Sequence, residues 1–268
     1  MGEPGPRVRI RFSKQGKVRF TSHRDVARIW ERALRRADIP IAYTEGFSPR
    51  PKLSFGLALS TGHESLGEYL DVALRPSHQT SHDPVAVEQV PALLGPALPA
   101  GIEVQAAVAL PAGAESLQQA VTSCTWNIEV AGIAPPDAAR GVARTLAADQ
   151  LTVTRERKGQ PVTDDVRPAI LALRVVCPVT EVVAPLAPRT PGAPLGTALH
   201  AELATQPRAL RPAELIAAID PTWAMARVTR IHQWTQAGGA RREVVDIDVD
   251  TDLGPAATPP PHAEARAS

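Results

Sequence analysis

The chain has 268 residues, 44% hydrophobic but only 4% aromatic, with 27 prolines and two cysteines, a length that suits one large or, by preference, two modest globular domains, and a composition in which cores rely on alanine, valine and leucine. Cys124 and Cys177 stand far apart with no CxxC or Cys/His cluster, which speaks against an iron–sulfur or structural zinc site built by this chain alone, and their ordinary reading is as buried free thiols. Net charge is +1, yet residues 7 to 52 carry thirteen Arg and Lys against Asp25, Glu31, Asp38 and Glu45, so +9 is gathered there and −8 is spread over the remainder.

A near-neutral protein with its cations collected in one segment keeps a local positive field that favours an anionic partner. No apolar run reaches the roughly 20 residues of a membrane span, and "MGEPGPRVRIRF" lacks the apolar core of a signal peptide and the Ser/Thr of a myristoylation site. The expectation is a cytoplasmic protein with no membrane partner.

In chain order, "RVRIRFS" alternates Arg7, Arg9 and Arg11 with Val8, Ile10 and Phe12, the pattern of a half-buried strand with its cations outward. "KQGK" turns the chain and "VRF" reads as a short strand. From Ser22 to Asp38 the period becomes helical: Val26, Ile29, Trp30, Ala33, Leu34 and Ala37 form one stripe. Ser22 is the N-cap, with Asp25 three positions on, and "DIP" ends the helix before Pro40. "IAYTE" and "PKLSFGLALS" read as strands, the second with bulky Leu53, Phe55, Leu57 and Leu59 on one face and small Ser54, Gly56 and Ala58 on the other. "GEYLDVAL" is a strand, "DPVAVEQVPALLGPAL" a proline-interrupted helix and "GIEVQAAVAL" a strand, an order that matches the split βαβ or ferredoxin-like arrangement.

A second copy follows: strand "SCTWNIEVAG", helix "PPDAARGVARTLAAD", strand "LTVTRER" with a turn at Lys158-Gly159, strand "PAILALRVV", helix "RPAELIAAI" and strand "ARVTRIHQWTQ". The predicted fold is therefore α+β, two tandem ferredoxin-like domains with antiparallel sheets over residues 1–113 and 114–250. Between 184 and 195, Pro185, Pro188, Pro191 and Pro194 recur every third residue, which reads as a stiff polyproline spacer or as a docking motif for a proline-reading partner. Residues 251–268 have almost nothing to bury and read as a disordered tail.

On the helix, Arg24, Arg28, Arg32 and Arg36 form one i+4 row with Arg35 beside it, partly neutralised by Glu31 or Asp38 through i+3 and i+4 pairs. With Arg7, Arg9 and Arg11 of the strand added, the excess suits RNA or another polyphosphate, an acidic protein surface, or a merely solvated face. In "TEGFSPRPKLSFG", residues 44–56, Pro49 and Pro51 hold Ser48 and Arg50 extended and Gly46 permits the preceding turn. Ser48, Arg50 and Lys52 would meet a phosphate or carboxylate there, unless the prolines only stiffen the approach to a strand. His23, at the first turn of the basic helix, is a candidate acid or base for RNA cleavage, or a partly packed polar residue. His63, His78, His82 and Asp83 lack the carboxylate-rich frame of a metal site, and no phosphate-cradling glycine loop or nucleophile elbow occurs. No cofactor, metal or catalytic residue is assigned.

"FTSHRD", "EGFSPRPKLSFGLALSTG" and "GEYLDVAL" resemble the bacterial radical-SAM-linked protein family, closely at "GFSPRPKLSFGLAL" and fading after about residue 180. The resemblance implies a protein without established activity, found either fused behind a B12-binding-type radical SAM enzyme or encoded beside one. Such enzymes need a three-cysteine motif that this sequence lacks, so the implied role is the stand-alone accessory chain, with a radical SAM enzyme and RNA as partners and no DNA. Tandem ferredoxin-like domains with a basic first half are also similar in architecture to the CRISPR RNA-processing endoribonucleases of the RAMP class, although "AGG", 237–239, is too short for their glycine-rich loop. Three functions stay open: a non-enzymatic accessory protein that binds RNA, a metal-independent endoribonuclease using His23, and a protein–protein adaptor.

Overall fold

The computed structural model describes residues 5–76, 85–176, 196–237 and 239–245. Cys177, His78, His82, Asp83, the proline-rich segment and the tail beyond 250 lie outside them.

The first half runs β1 (Arg7–Lys14), α1 (His23–Arg36), β2 (Leu53–Phe55), β3 (Glu64–Ala73), α2 (Val90–Leu94) and β4 (Ile102–Leu110). After the short α3 (Leu117–Ala120) the second runs β5 (Val121–Val130), α4 (Pro135–Ala147), β6 (Thr152–Arg157), β7 (Gln160–Asp165), β8 (Ile170–Val176), β9 (Thr197–Ala204), α5 (Pro212–Ile219), β10 (Met225–Ala237) and β11 (Ala240–Glu243). The fold is mixed α+β, and strands of both halves join in one large sheet. One nine-stranded sheet has the order β4-β1-β3-β10-β5-β9-β8, with β2 beside β3 and β11 beside β10, while β6 and β7 pair only with each other. Every pairing in the large sheet is antiparallel except β3 with β10, where the two halves meet in parallel at Thr229↔Glu64 and Arg230↔Ser65.

Each half has its own core, because each helix stripe covers only the strands of its own half. Val8, Ile10 and Phe12 of β1 meet Val26, Trp30, Ala33 and Leu34 of α1, and the Phe12 and Trp30 rings pack edge to face with centroids 4.7 Å apart. In the second half Ile128, Val130, Leu199 and Ala201 of the sheet pack on Ala138 and Val142 of α4 and on Leu215, Ile216 and Ile219 of α5.

Several local expectations change. "VRF" lies in a 3₁₀ turn, Gly16–Phe20. "IAYTE" makes only isolated bridges, Ile41↔Leu74 and Tyr43↔Pro51. The "PKLSFGLALS" strand stops at Phe55, because beyond it β10 takes the place beside β3. Three strands escaped the sequence reading: β7, β9 and β11. The Lys158-Gly159 turn is as expected, with both residues at positive φ, 52° and 77°, the two-residue geometry that suits a twisted hairpin.

The strand arginines are corrected most. Arg9 and Arg11 are buried, since the second face of β1 is covered by chain rather than by water. Arg9 grips Asp71 through Nε and Nη2 at 2.7 and 2.9 Å. Arg11 reaches Glu243 at 2.7 Å and donates to the Gln105 side chain and the Val245 carbonyl. Arg7 donates to the Ala114 carbonyl at 2.9 Å. These cations tie β1 to the linker between the halves and to the C-terminal strand, so they add nothing to an external face.

Among the described residues Glu64 is the most deeply placed anion, fully buried, and accepts from Gly16 N at 2.8 Å, Arg19 Nη1 at 3.0 Å and Arg227 Nε at 2.8 Å. Removing one member of a buried ion cluster strands the others without water, which costs about 3–5 kcal/mol, whereas an exposed pair contributes roughly 0.2–1 kcal/mol. Glu64→Ala should therefore lower unfolding free energy in urea by about 3–5 kcal/mol, and Asp137→Ala, which removes the exposed partner of Arg140, by less than about 1 kcal/mol. Equal losses in the two variants would contradict this ranking.

Candidate functional site

Helix α1 starts as its sequence dictates. Ser22 has extended backbone angles and its side chain accepts from Asp25 N, satisfying one orphan amide of the first turn. The same hydroxyl donates to Asp25 Oδ2 at 2.7 Å, and that bond, with Arg28 behind it, holds the Asp25 carboxyl below its ordinary pKa. At the other end Asp38 takes positive φ, 51°, and the chain turns away ahead of Pro40.

Because the apolar stripe is spent on β1, the polar face looks outward: Arg24, Arg28, Arg32, Arg35 and Arg36 are all exposed. Arg28 pairs with Asp25 at 3.1 Å, and Arg32 Nε donates to the Arg28 carbonyl at 3.2 Å. Both groups stay open to solvent, where such contacts are weak and easily exchanged.

The proline-bracketed stretch forms a hairpin at the end of the sheet where α1 finishes. Ala42 N donates to Ala73 O, Lys52 N to Ala42 O and Ala73 N to Lys52 O, which sews the base of the hairpin onto the end of β3. Higher up, Thr44 N donates to Arg50 O at 2.8 Å and Arg50 N to Thr44 Oγ1 at 3.0 Å. Gly46 has φ 123°, a conformation disfavoured by any residue with a Cβ. Ser48, Arg50 and Lys52 are exposed, so every predicted anion contact on α1 and on the hairpin faces solvent, and the hairpin leaves the sheet at the end marked by the last turn of the helix.

His23 lies apart, at the opposite end of α1, exposed and edge-on to Phe55 with ring centroids 5.1 Å apart. It lines a cleft of about 380 Å³, open mouth included, with Phe12, Lys14, Leu57 and Glu68 among its walls. Lys14 was missed from the sequence although one signal was available: it continues the even-numbered row Val8, Ile10, Phe12 and so falls on the core side of β1. Its Nζ donates to the carbonyls of Arg19 and Thr21 at 3.4 and 3.3 Å. Burial pushes its pKa down, Glu68 opposing and Arg230 adding to the shift.

Behind the cleft runs the polar seam between β3 and β10. Arg230, fully buried, donates through Nε and Nη2 to Glu68 Oε1 at 3.1 and 2.5 Å and through Nη2 to Leu57 O at 2.9 Å. Burial is the largest single influence and opposes its charge, but Glu68 and Cys124 together outweigh it and the pKa is raised. Its guanidinium carbon lies 5.5 Å from the Trp126 ring centroid. His63 faces Trp126 with centroids 6.2 Å apart, and burial, then Arg230 and Lys14, lower its pKa, so it is neutral here. Cys124 is buried and its thiol is pushed up to about 11, chiefly by desolvation, which makes it a poor nucleophile. Among the described residues no three His, Cys, Asp or Glu side chains gather as a metal site would require, and no helix is long and apolar enough to cross a membrane.

Fold and surface define an α+β protein in which a helix with an exposed arginine row is followed in the chain by a hairpin with exposed Arg50 and Lys52. The chain belongs to the family described as uncharacterized proteins conserved in bacteria, DUF2344, whose model matches residues 7–206. The match runs past residue 180, where sequence likeness was read to fade, and takes in β9; α5 and β10, with Arg227 and Arg230, lie beyond it. No curated protein matches the chain.

The lowered pKa of Lys14 has a definite sign in stability. Between the lowered value and the ordinary 10.5 the unfolded chain binds a proton that the folded one does not, so folding free energy becomes more favourable as pH rises through that interval. In urea unfolding from neutral pH to 10.5, the wild type should gain on Lys14→Met as pH rises, and the difference between the two proteins isolates this residue. Parallel pH profiles would show that Lys14 keeps an unperturbed amine.

Proposed function

We propose that this protein is a non-enzymatic accessory that holds RNA, as a polyanion, on the face formed by α1 and the 43–51 hairpin and presents it to a separate radical SAM enzyme. The reading is carried by the sorting of the arginines: those of β1 and β10 are consumed by internal partners, while Arg24, Arg28, Arg32, Arg35 and Arg36 are all left in solvent on one helix. Backbone phosphates meet such a row without base recognition, and the rigid hairpin adds Arg50 and Lys52 with little further loss of entropy.

In the same reading the chain is two tandem ferredoxin-like units, 1–113 and 114–250. With the β6–β7 hairpin and β11 left out, each half has the spatial order fourth, first, third, second in its own strand count: β4-β1-β3-β2 and β10-β5-β9-β8. That duplication is compatible with an RNA-handling scaffold but does not by itself assign one. The enzyme partner, of the B12-binding type, rests on the family resemblance of the 44–56 block and on a cysteine count of two, one short of a cluster motif.

A second reading has its own observation: His23 and Lys14 line one cleft with Glu68, a set able to move protons during RNA cleavage. As a metal-independent endoribonuclease the protein would cut RNA in EDTA and stop doing so in His23→Ala with binding intact, and cleavage that persists in that variant removes the reading.

The accessory reading is tested by fluorescence anisotropy of bulk tRNA and of a ribosomal RNA fragment at several salt concentrations. Affinity should fall linearly with salt on a logarithmic plot, and Arg28→Glu with Arg32→Glu should weaken binding and flatten the slope by about 1.4–1.8, roughly 0.7–0.9 for each phosphate that is no longer neutralised. Binding unchanged by the double reversal, or no binding at low salt, overturns it and leaves the face as a docking surface for an acidic protein.

A further inference from the structure

Phe47 occupies the tip of the hairpin with a relative exposure of 109%, so among the described residues nothing covers the ring. Singly exposed apolar side chains are ordinary on a protein surface, so exposure alone assigns Phe47 no role; what sets it apart is its place on a proline-stiffened turn that also carries Arg50 and Lys52. The backbone beneath it is constrained on both sides. Thr44 and Arg50 are tied by two hydrogen bonds, Tyr43 bridges Pro51, and Pro49 and Pro51 each fix their own φ. The ring is thus held out on a stiff arm, and a partner that covers it need not first order the loop.

The chemistry around the ring narrows the partner. Ser48, Arg50 and Lys52 follow it, all exposed, with Glu45 the acid of the same tip. Between Thr44 and Arg50 the other side chains are Glu45, Ser48 and Pro49, and the other exposed large hydrophobic side chain of the hairpin is Tyr43, a second aromatic ring with a polar hydroxyl. An exposed π-face on a hairpin that also carries Arg50, Lys52 and a hydroxyl matches a ligand with a flat ring and a negative charge on each repeating unit, which is a nucleotide.

We propose that Phe47 is a stacking platform for an unpaired base, with Arg50 and Lys52 on the neighbouring phosphates, so that this face takes single-stranded or looped RNA rather than duplex; the inference rests on the accessory reading above. In an A-form duplex each interior base is already stacked on both faces and its deep major groove excludes a side chain, so away from the helix ends an isolated ring gains contact only from a splayed base.

The test uses the full chain and two fluorescein-labelled probes of about 12 units, a mixed-sequence single strand and the duplex of the same sequence, a length within the range that such surfaces cover. The wild type should prefer the single strand. Phe47→Ala should weaken it by roughly 5- to 100-fold while leaving the duplex nearly unchanged, and Phe47→Tyr should restore it, because base stacking on one aromatic ring contributes on that scale. The ring is exposed, so both variants should keep the wild-type melting temperature. Single-strand affinity unaffected in Phe47→Ala, with the Arg28 and Arg32 reversals still weakening both probes, overturns the platform and leaves the basic face standing. Failure of the wild type to bind either probe at low salt overturns both and assigns the ring to a protein partner.

Discussion

The parallel contact between β3 and β10 is the constraint on which the arrangement depends. It is short, two residue pairs long, and parallel pairing is the weaker kind per residue. Charge supplies what the ladder does not: Glu64 and Glu68 of β3 receive Arg227 and Arg230 of β10, and Arg19 of the first half closes on the same Glu64. Ion pairs out of water add little net stability over apolar packing, because desolvation offsets most of the Coulomb attraction. Mispairing them is costly, however, since any shift of β10 would strand a carboxylate or a guanidinium. These pairs therefore specify register where hydrogen bonds alone would specify it weakly.

That seam also sets the character of the cleft beside α1. Arg230 is anchored on Glu68, which lines the cleft with Lys14 and His23. Lys14 feels burial, the Glu68 carboxylate and the Arg230 cation together, so the electrostatics of a surface feature of the first half are decided by a strand near the end of the chain. His63 and Cys124 are held uncharged by burial at the same place.

The outer face follows from the opposite circumstance. Trp30, Leu34 and their stripe are spent on β1, which turns the arginine row of α1 away from the sheet, and the prolines of the hairpin need no tertiary partner to hold Ser48 and Arg50 extended. Chemically identical guanidinium groups thus take two roles, internal clamps on β1 and β10 and solvent-facing cations on α1, according to whether a carboxylate from elsewhere in the chain arrives beside them.

Local physics was readable from the sequence alone. The helix α1, its Ser22 cap, the arginine row, the Gly46 turn and the Lys158-Gly159 hairpin turn rest on period, capping and turn chemistry, all settled within a few residues. What required the tertiary structure was everything decided by distant partners. Period-two alternation on β1 marked Arg7, Arg9 and Arg11 as a separate face but could not tell that residues 114–115 and 243–245 would cover it. Strand β9, "TALHAELA", alternates well enough but follows a proline-rich stretch, and its polar His200 and Glu202 disguised a strand that lies between β5 and β8. Arg230 is flanked by Thr229 and Ile231, and β10 shifts register three times against β5, so no regular alternation marks it as buried. A charged residue is placed inside or outside by the carboxylates and carbonyls that reach it, and for this chain those acceptors lie as many as 234 residues away, beyond any local pattern.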